Sequence, residues 1–96
     1  MRNELQIFNS PEFGQVRSIM IEGEPWFVGK DVAEALGYKD PRGAISRRVD
    51  MEDRGVAKMT TPSGAQDMTI INESGLYSLI LSSKLSNAKT FTRWVT

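Results

Sequence analysis

The stretch GEPWFVGKDVAEALGYKDPRGAI, from Gly23 to Ile45, decides the fold of this chain. It opens with a glycine and a dense apolar cluster, residues 25–28, which is typical of a strand that returns from a tight turn. The apolar residues that follow recur at i, i+3 and i+4, the spacing that places side chains on one helix face (Val32, Ala35 and Leu36). The stretch therefore predicts a strand followed closely by a short helix.

A second helix is expected after a very short link. Gly37 stands just beyond the first helix, where a left-handed backbone is common and glycine is favoured. Asp40 suits the N-cap of the next helix, and Pro41 suits its first helical position. Since only residues 37–39 and the cap separate the two helices, they should form a corner that resembles a helix-turn-helix.

The sequence on either side of this stretch predicts antiparallel hairpins. Apolar runs bounded by turn-forming residues indicate strands near the N-terminus at residues 5–8 and 16–22. After a charged loop at residues 50–54, a second hairpin is expected from residues 56–61 and 66–71, with residues 62–65 as its turn. The fold class is therefore α+β, with antiparallel β-hairpins packed against short helices and a helix-turn-helix-like corner.

Two more helices are expected near the C-terminus. Asn72 is placed to cap a helix from Glu73 to about Ser83, and Ser86 to cap a last helix. The last helix has no stop signal before Thr96, so residues 1–96 are interpreted as one domain and as the N-terminal part of a longer protein. The apolar periodicity predicts a buried core formed by Trp26, Val28, Val32, Leu36, Ile45, Val49, Ile70, Leu76, Leu79, Ile80, Phe91 and Trp94.

Composition excludes several classes of function. Hydrophobic residues make up 40% of the 96 and charged residues 25%, as in ordinary globular domains, and no apolar run approaches the length of a membrane span. The chain has no cysteine and no histidine, which excludes disulfides, thiol nucleophiles and the commonest metal ligands and general bases. We therefore expect a cytoplasmic protein that is not an enzyme and uses no metal or cofactor.

Basic residues near the second helix are the candidate site. Lys39 lies in the corner, and Arg42, Arg47 and Arg48 lie on the helix itself. Further basic residues that could supplement them are Lys58, Lys89 and Arg93. Because twelve basic residues balance twelve acidic ones, binding of nucleic acid would have to come from such a local patch.

An alternative interpretation of the same residues stays open. The arginines could form a solvated helix face and pair with the acidic residues that follow them, Asp50, Glu52 and Asp53. Lys89 and Arg93, four positions apart and opposite an apolar stripe, also fit an ordinary amphipathic helix. Pairing with acidic neighbours would favour a protein-binding surface, whereas free basic side chains on one face would favour DNA.

Three segments together carry a family resemblance. They are the opening stretch quoted above, INESGLYSLILSSK at residues 71–84 and FTRWV at residues 91–95. In this order they resemble the N-terminal (Bro-N) domain of the BRO family, and they are more similar to the prophage antirepressor type than to the viral repeat type. The matching positions are mostly apolar residues and glycines, so the resemblance bears on the fold more than on a site.

The resemblance implies a regulatory function. Members resemble nucleic-acid-binding or regulatory modules, usually joined to a variable C-terminal domain and often found in temperate phages or prophages. The resemblance therefore implies a DNA-binding domain that acts in transcriptional control of the choice between lysogeny and lysis. The alternative is a protein-interaction module that binds and antagonises a repressor without contacting DNA, and a homo-oligomer is also possible. The expected location is the cytoplasm of the bacterial host cell, with no membrane partner.

Overall fold

The computed structural model describes the backbone of residues 5–10 and the full residues 14–83. Five strands form one antiparallel sheet in the order β1-β2-β3-β5-β4. The strands are β1 (Leu5–Ser10), β2 (Gly14–Ile21), β3 (Glu24–Val28), β4 (Arg54–Thr61) and β5 (Gly64–Ile71). The helices are α1 (Gly29–Ala35), α2 (Pro41–Arg48) and α3 (Glu73–Ser82). The predicted α+β class, with hairpins and short helices, is confirmed.

Two hairpin systems make up the sheet. Strands β1, β2 and β3 form a meander, and its second turn uses left-handed backbone at Glu22 (φ 51°) and Gly23 (φ 81°). The β4–β5 turn consists of two residues, shorter than the four that its turn-forming composition predicts, because the strands pair as far as Thr61 and Gly64. Among the described strands, the two systems pair through β3 and β5, where Phe27 and Val28 lie across from Ile71 and Ile70.

The core lies on both faces of the sheet, because consecutive residues of a strand point in opposite directions. The helices cover one face, where Val16, Phe27 and Ile71 pack with the apolar sides of α1, α2 and α3. A smaller cluster on the other face contains Ile19, Val28, Met59 and Ile70.

Most of the predicted core is buried. Eight of the predicted residues are less than a tenth exposed: Val28, Val32, Leu36, Ile45, Val49, Ile70, Leu76 and Leu79. Trp26 and Ile80 are only half-buried, which corrects the prediction, because each packs at the margin of its cluster. Phe91 and Trp94 lie outside the described residues, as does the predicted last helix.

The corner between α1 and α2 forms as predicted. Gly37 has φ +85°, and the N–H groups of Gly37 and Tyr38 donate to the carbonyls of Glu34 and Ala33, each at 3.0 Å. These two bonds are the Schellman arrangement that satisfies the last carbonyls of a helix. At the start of α2, the Asp40 carboxylate accepts a hydrogen bond from the Gly43 N–H. Local sequence signals therefore fix both ends of the corner.

Replacement of Gly37 tests the corner directly. Gly37→Val should destabilise the fold by about 1–2 kcal/mol or more, because a β-branched side chain is strained in the left-handed region. Gly37→Asn is the matched control, since asparagine tolerates this conformation better. The measurement is the free energy of urea unfolding. Equal stability of the valine variant and the parent protein would contradict a backbone requirement for glycine.

An ion pair fixes α1 to β2. Arg17 on β2 donates from Nε and Nη2 to the two carboxylate oxygens of Asp31 at 2.8 and 2.9 Å, and its backbone N–H donates to the same group at 3.0 Å. Asp31 is buried, and the contact with its carboxylate raises the pKa of Arg17 above the usual value. Three bonds to one carboxylate set the position at which the first helix leaves the sheet.

Helix α3 is held by a cap and by a contact with the corner. The Asn72 side chain accepts from the Gly75 N–H at 2.9 Å, as predicted for an N-cap, and donates to the Asp53 carboxylate at 3.2 Å. The Tyr38 hydroxyl donates to the carbonyl of Leu79 at 2.8 Å.

Across residues 5–10 and 14–83, no helix has the length and apolar character needed to cross a bilayer.

Candidate nucleic-acid interface

The three arginines of α2 are exposed at the surface. Arg42, Arg47 and Arg48 make no ion pair within the described part of the chain, where the ion pairs are Arg17–Asp31 and Lys30–Glu34. The pairing of these arginines with residues 50–53 that the sequence allowed is therefore absent among the described residues. Their charges are available to an external partner.

The three arginines lie on different sides of α2. A Cβ built on Gly43 would lie 2.8 Å from Nη1 of Arg47, so this guanidinium folds back over the first turn of the helix. Arg48 lies near Tyr38: burial raises the pKa of Tyr38, and the positive charge of Arg48 partly opposes that rise. Arg42 instead lines a groove between α2 and the second hairpin. Among residues 14–83 the three side chains are therefore unpaired but do not share one face of the helix, so only the first half of the condition that favours DNA is met, and they form a broad basic surface around α2.

The remaining predicted residues are more scattered. Lys39 is exposed in the corner next to α2. Lys58 is exposed on β4, directly across from Asp67 on β5. Lys89 and Arg93 lie outside the described residues.

A groove lies next to α2 on this surface. It has a volume of about 660 Å³ and lies between the start of α1, α2 and the β4–β5 hairpin. Its charged lining residues are four basic and one acidic: Arg17, Lys30, Arg42, Arg54 and Asp67. Its polar lining residues carry hydroxyl or amide groups: Ser46, Thr61, Ser63, Gln66 and Thr69. The chemistry of this lining suits an anion.

The four cations of the groove are not equally available. Arg17 is neutralised by Asp31, and Lys30 lies 3.9 Å from Glu34 in an exposed pair that contributes little. Arg42 and Arg54 have no acidic partner within the described residues, and Nε of Arg54 is buried with no hydrogen-bond partner there. The free positive charge of the groove therefore comes mainly from these two arginines.

The sequence did not single out Arg54, which lines the groove. It placed this residue at the end of a charged loop, whereas residues 51–53 form a short 3-10 turn and Arg54 begins β4. The signal that could have found it is the alternation of Arg54, Val56 and Lys58, which predicts a strand with these three side chains on one face.

Within the described residues, no three acidic side chains converge as a metal site would need.

The family model and the similar proteins point to the same family. The model of the N-terminal domain of the BRO family matches residues 15–96. A Haemophilus influenzae protein of uncharacterised function is 41% identical over 99% of this chain, which covers 48% of that protein. Two proteins of Invertebrate iridescent virus 6 are also similar. Bro-N domain-containing protein 289L is 37% identical over 74% of this chain and 21% of its own length.

The second viral relative extends the same pattern. Bro-N domain-containing protein 201R is 33% identical over 80% of this chain, which covers 23% of that protein. The chain thus spans about half or less of the length of the curated relatives it matches. Comparison with solved structures gives no match. The family model covers most of the chain and agrees with the motifs on the strand, the corner and α3, so the chain belongs to the BRO family and carries its N-terminal domain.

Proposed function

We propose that this domain is a DNA-binding regulatory domain of the prophage antirepressor type, which acts in the bacterial cytoplasm on the choice between lysogeny and lysis. The observation that carries the proposal is the exposed basic surface of α2, whose arginines have no acidic partner in residues 14–83. Membership of a family of regulatory domains also supports a regulatory function.

Electrostatics supports a local mode of binding. The formal net charge of the chain is zero, so no overall field attracts DNA, and affinity has to come from a few direct contacts with phosphates. The guanidinium groups of the α2 arginines can each donate two parallel hydrogen bonds to phosphate oxygens. The short corner holds the helix that carries them at a fixed angle to α1. Binding of this kind should be moderate in strength and sensitive to salt.

Removal of the α2 arginines tests the proposal. We expect the triple variant Arg42→Ala, Arg47→Ala and Arg48→Ala to weaken binding to all duplexes and to lower the magnitude of the log–log salt slope by about 2.7, the value for three lost phosphate contacts. The measurement is fluorescence anisotropy with labelled duplexes at several salt concentrations. Because the three side chains are exposed, the melting temperature should change little, which serves as the folding control.

A protein-binding function is the second candidate. A pI near 6.2 suits a protein partner, and large apolar side chains are exposed at Met51, Val56 and Leu81. A pull-down with repressors of the same phage, together with size-exclusion chromatography of the domain alone, distinguishes the two functions. No duplex binding at low salt, combined with a saturable complex with a repressor, would replace the DNA proposal by an antagonist that acts through protein contact or as an oligomer.

A further inference from the structure

We propose that the groove between α2 and the β4–β5 hairpin holds one phosphodiester group of the bound nucleic acid, with Arg54 and Arg42 as its donors. This inference rests on the proposed DNA-binding function and adds a site to it. Arg54 is outside the set of basic residues that the sequence indicated, and it lies on a different element from the α2 arginines.

The first observation is the unsatisfied donor of Arg54. Its Nε is buried and has no hydrogen-bond partner among the described residues. A buried donor without a partner is unfavourable, and such groups are rare in native proteins, so an added acceptor at this position would be stabilising. Because this residue lines the groove, an anion bound there is one source of that acceptor, and since Nε is buried the side chain has to shift for the oxygen to reach it.

The second observation is that the carboxylate next to Arg54 in the sequence bonds to another residue. Asp53 precedes Arg54, but its Oδ1 accepts a hydrogen bond from the Asn72 side chain at 3.2 Å, and its backbone carbonyl accepts from the Asn72 N–H. Arg54 itself is held by the sheet, where it lies across from the fully buried Ile71. The guanidinium is thus positioned by the fold without being neutralised by it.

The third observation is the composition of the lining. Two free arginines face one aspartate, and hydroxyl and amide groups complete the walls, which suits the oxygens of a phosphate. None of the described lining residues is aromatic. Single-strand binding proteins use aromatic side chains to stack bases, so the lining favours contact with the sugar–phosphate backbone of a duplex over a platform for unpaired bases.

A direct test follows the Nε–Hε signal of Arg54 by NMR in the intact domain. Titration with dimethyl phosphate should give a saturable shift of this signal, while sodium chloride at the same ionic strength should not. The Nε–Hε signal of Arg17 is the internal control, because that donor is already bonded to Asp31 and should stay unchanged. A shift with acetate but not with the phosphodiester would overturn the proposal in favour of an acidic peptide.

The variant test uses duplex DNA. Arg54→Gln should weaken binding to all duplex sequences and lower the magnitude of the log–log salt slope by less than about 0.9, the value for one whole phosphate contact, because Arg42 still contacts the same phosphate. Arg54→Lys keeps the charge and should restore the slope, which separates loss of charge from any change in folding. If Arg54→Gln binds as the parent does while the triple α2 variant loses binding, the groove site is wrong and the proposed function stands. Absence of duplex binding by the parent domain would overturn both.

Discussion

Asp31→Ala is expected to destabilise the fold by about 3 kcal/mol, because it leaves Arg17 as a half-buried charge without its partner. The substitution removes three hydrogen bonds at once, two from the guanidinium and one from the backbone N–H of Arg17. It also removes a negative charge from the first turn of α1, where the helix dipole favours one. Small domains have total stabilities of roughly 5–15 kcal/mol, so this loss is a large fraction of the whole.

Glu34→Ala on the same helix is the matched control for Asp31→Ala. Its partner is Lys30 at 3.9 Å, and both side chains are more than half exposed, so the loss should be within about 0.5 kcal/mol. Urea unfolding followed by circular dichroism gives both free energies. Similar small losses in the two variants would show that the Arg17–Asp31 contact does not stabilise α1 against the sheet.

Leu79→Ala is expected to destabilise the fold by about 3–4 kcal/mol. Leu79 is fully buried on α3 and packs in the cluster that joins the three helices to the sheet. Removal of its side chain costs the transfer energy of the lost methyl groups and leaves a cavity that surrounding residues fill only in part. The hydrogen bond from Tyr38 should survive, because it ends on the backbone carbonyl of Leu79.

Leu81→Ala provides the control two residues further along the same helix. Leu81 is 86% exposed, so its truncation should change the stability by less than about 0.5 kcal/mol. Thermal and urea unfolding of the two variants should therefore differ clearly. A loss of stability at Leu81 as large as that at Leu79 would mean that the outer face of α3 is covered in solution.

The parts of the fold that follow from local chemistry could be predicted from the sequence. Gly37, Asp40 and Asn72 have the positions and hydrogen bonds that their side chains and spacing indicated, because caps depend on neighbours within a few residues. The apolar spacing of α1 and α3 likewise placed Val32 and Leu76 in the core. These predictions needed no knowledge of the tertiary structure.

Features that depend on the order of the strands could not be predicted in this way. Arg17 and Asp31 are fourteen positions apart and belong to different elements, so their contact exists only once β2 and β3 are paired. Burial of Val16 and Ile71 also depends on which face of the sheet receives the helices. The groove exists only where the second hairpin lies beside α2, so the sequence could place Arg54 on a strand by its alternation but could not bring it next to Arg42.

The two-residue contact between β3 and β5 has a consequence for the order of folding. Each hairpin closes only a short loop, and such hairpins form in microseconds. The contact between Phe27–Val28 and Ile70–Ile71 instead brings together two segments that are far apart in the sequence, so it has to close a much longer loop. Non-local contacts of this kind dominate the contact order and slow the overall rate. We expect prior formation of the α1–α2 corner to shorten that closure, so that the turn at Gly37 should affect the folding rate as well as the folded state.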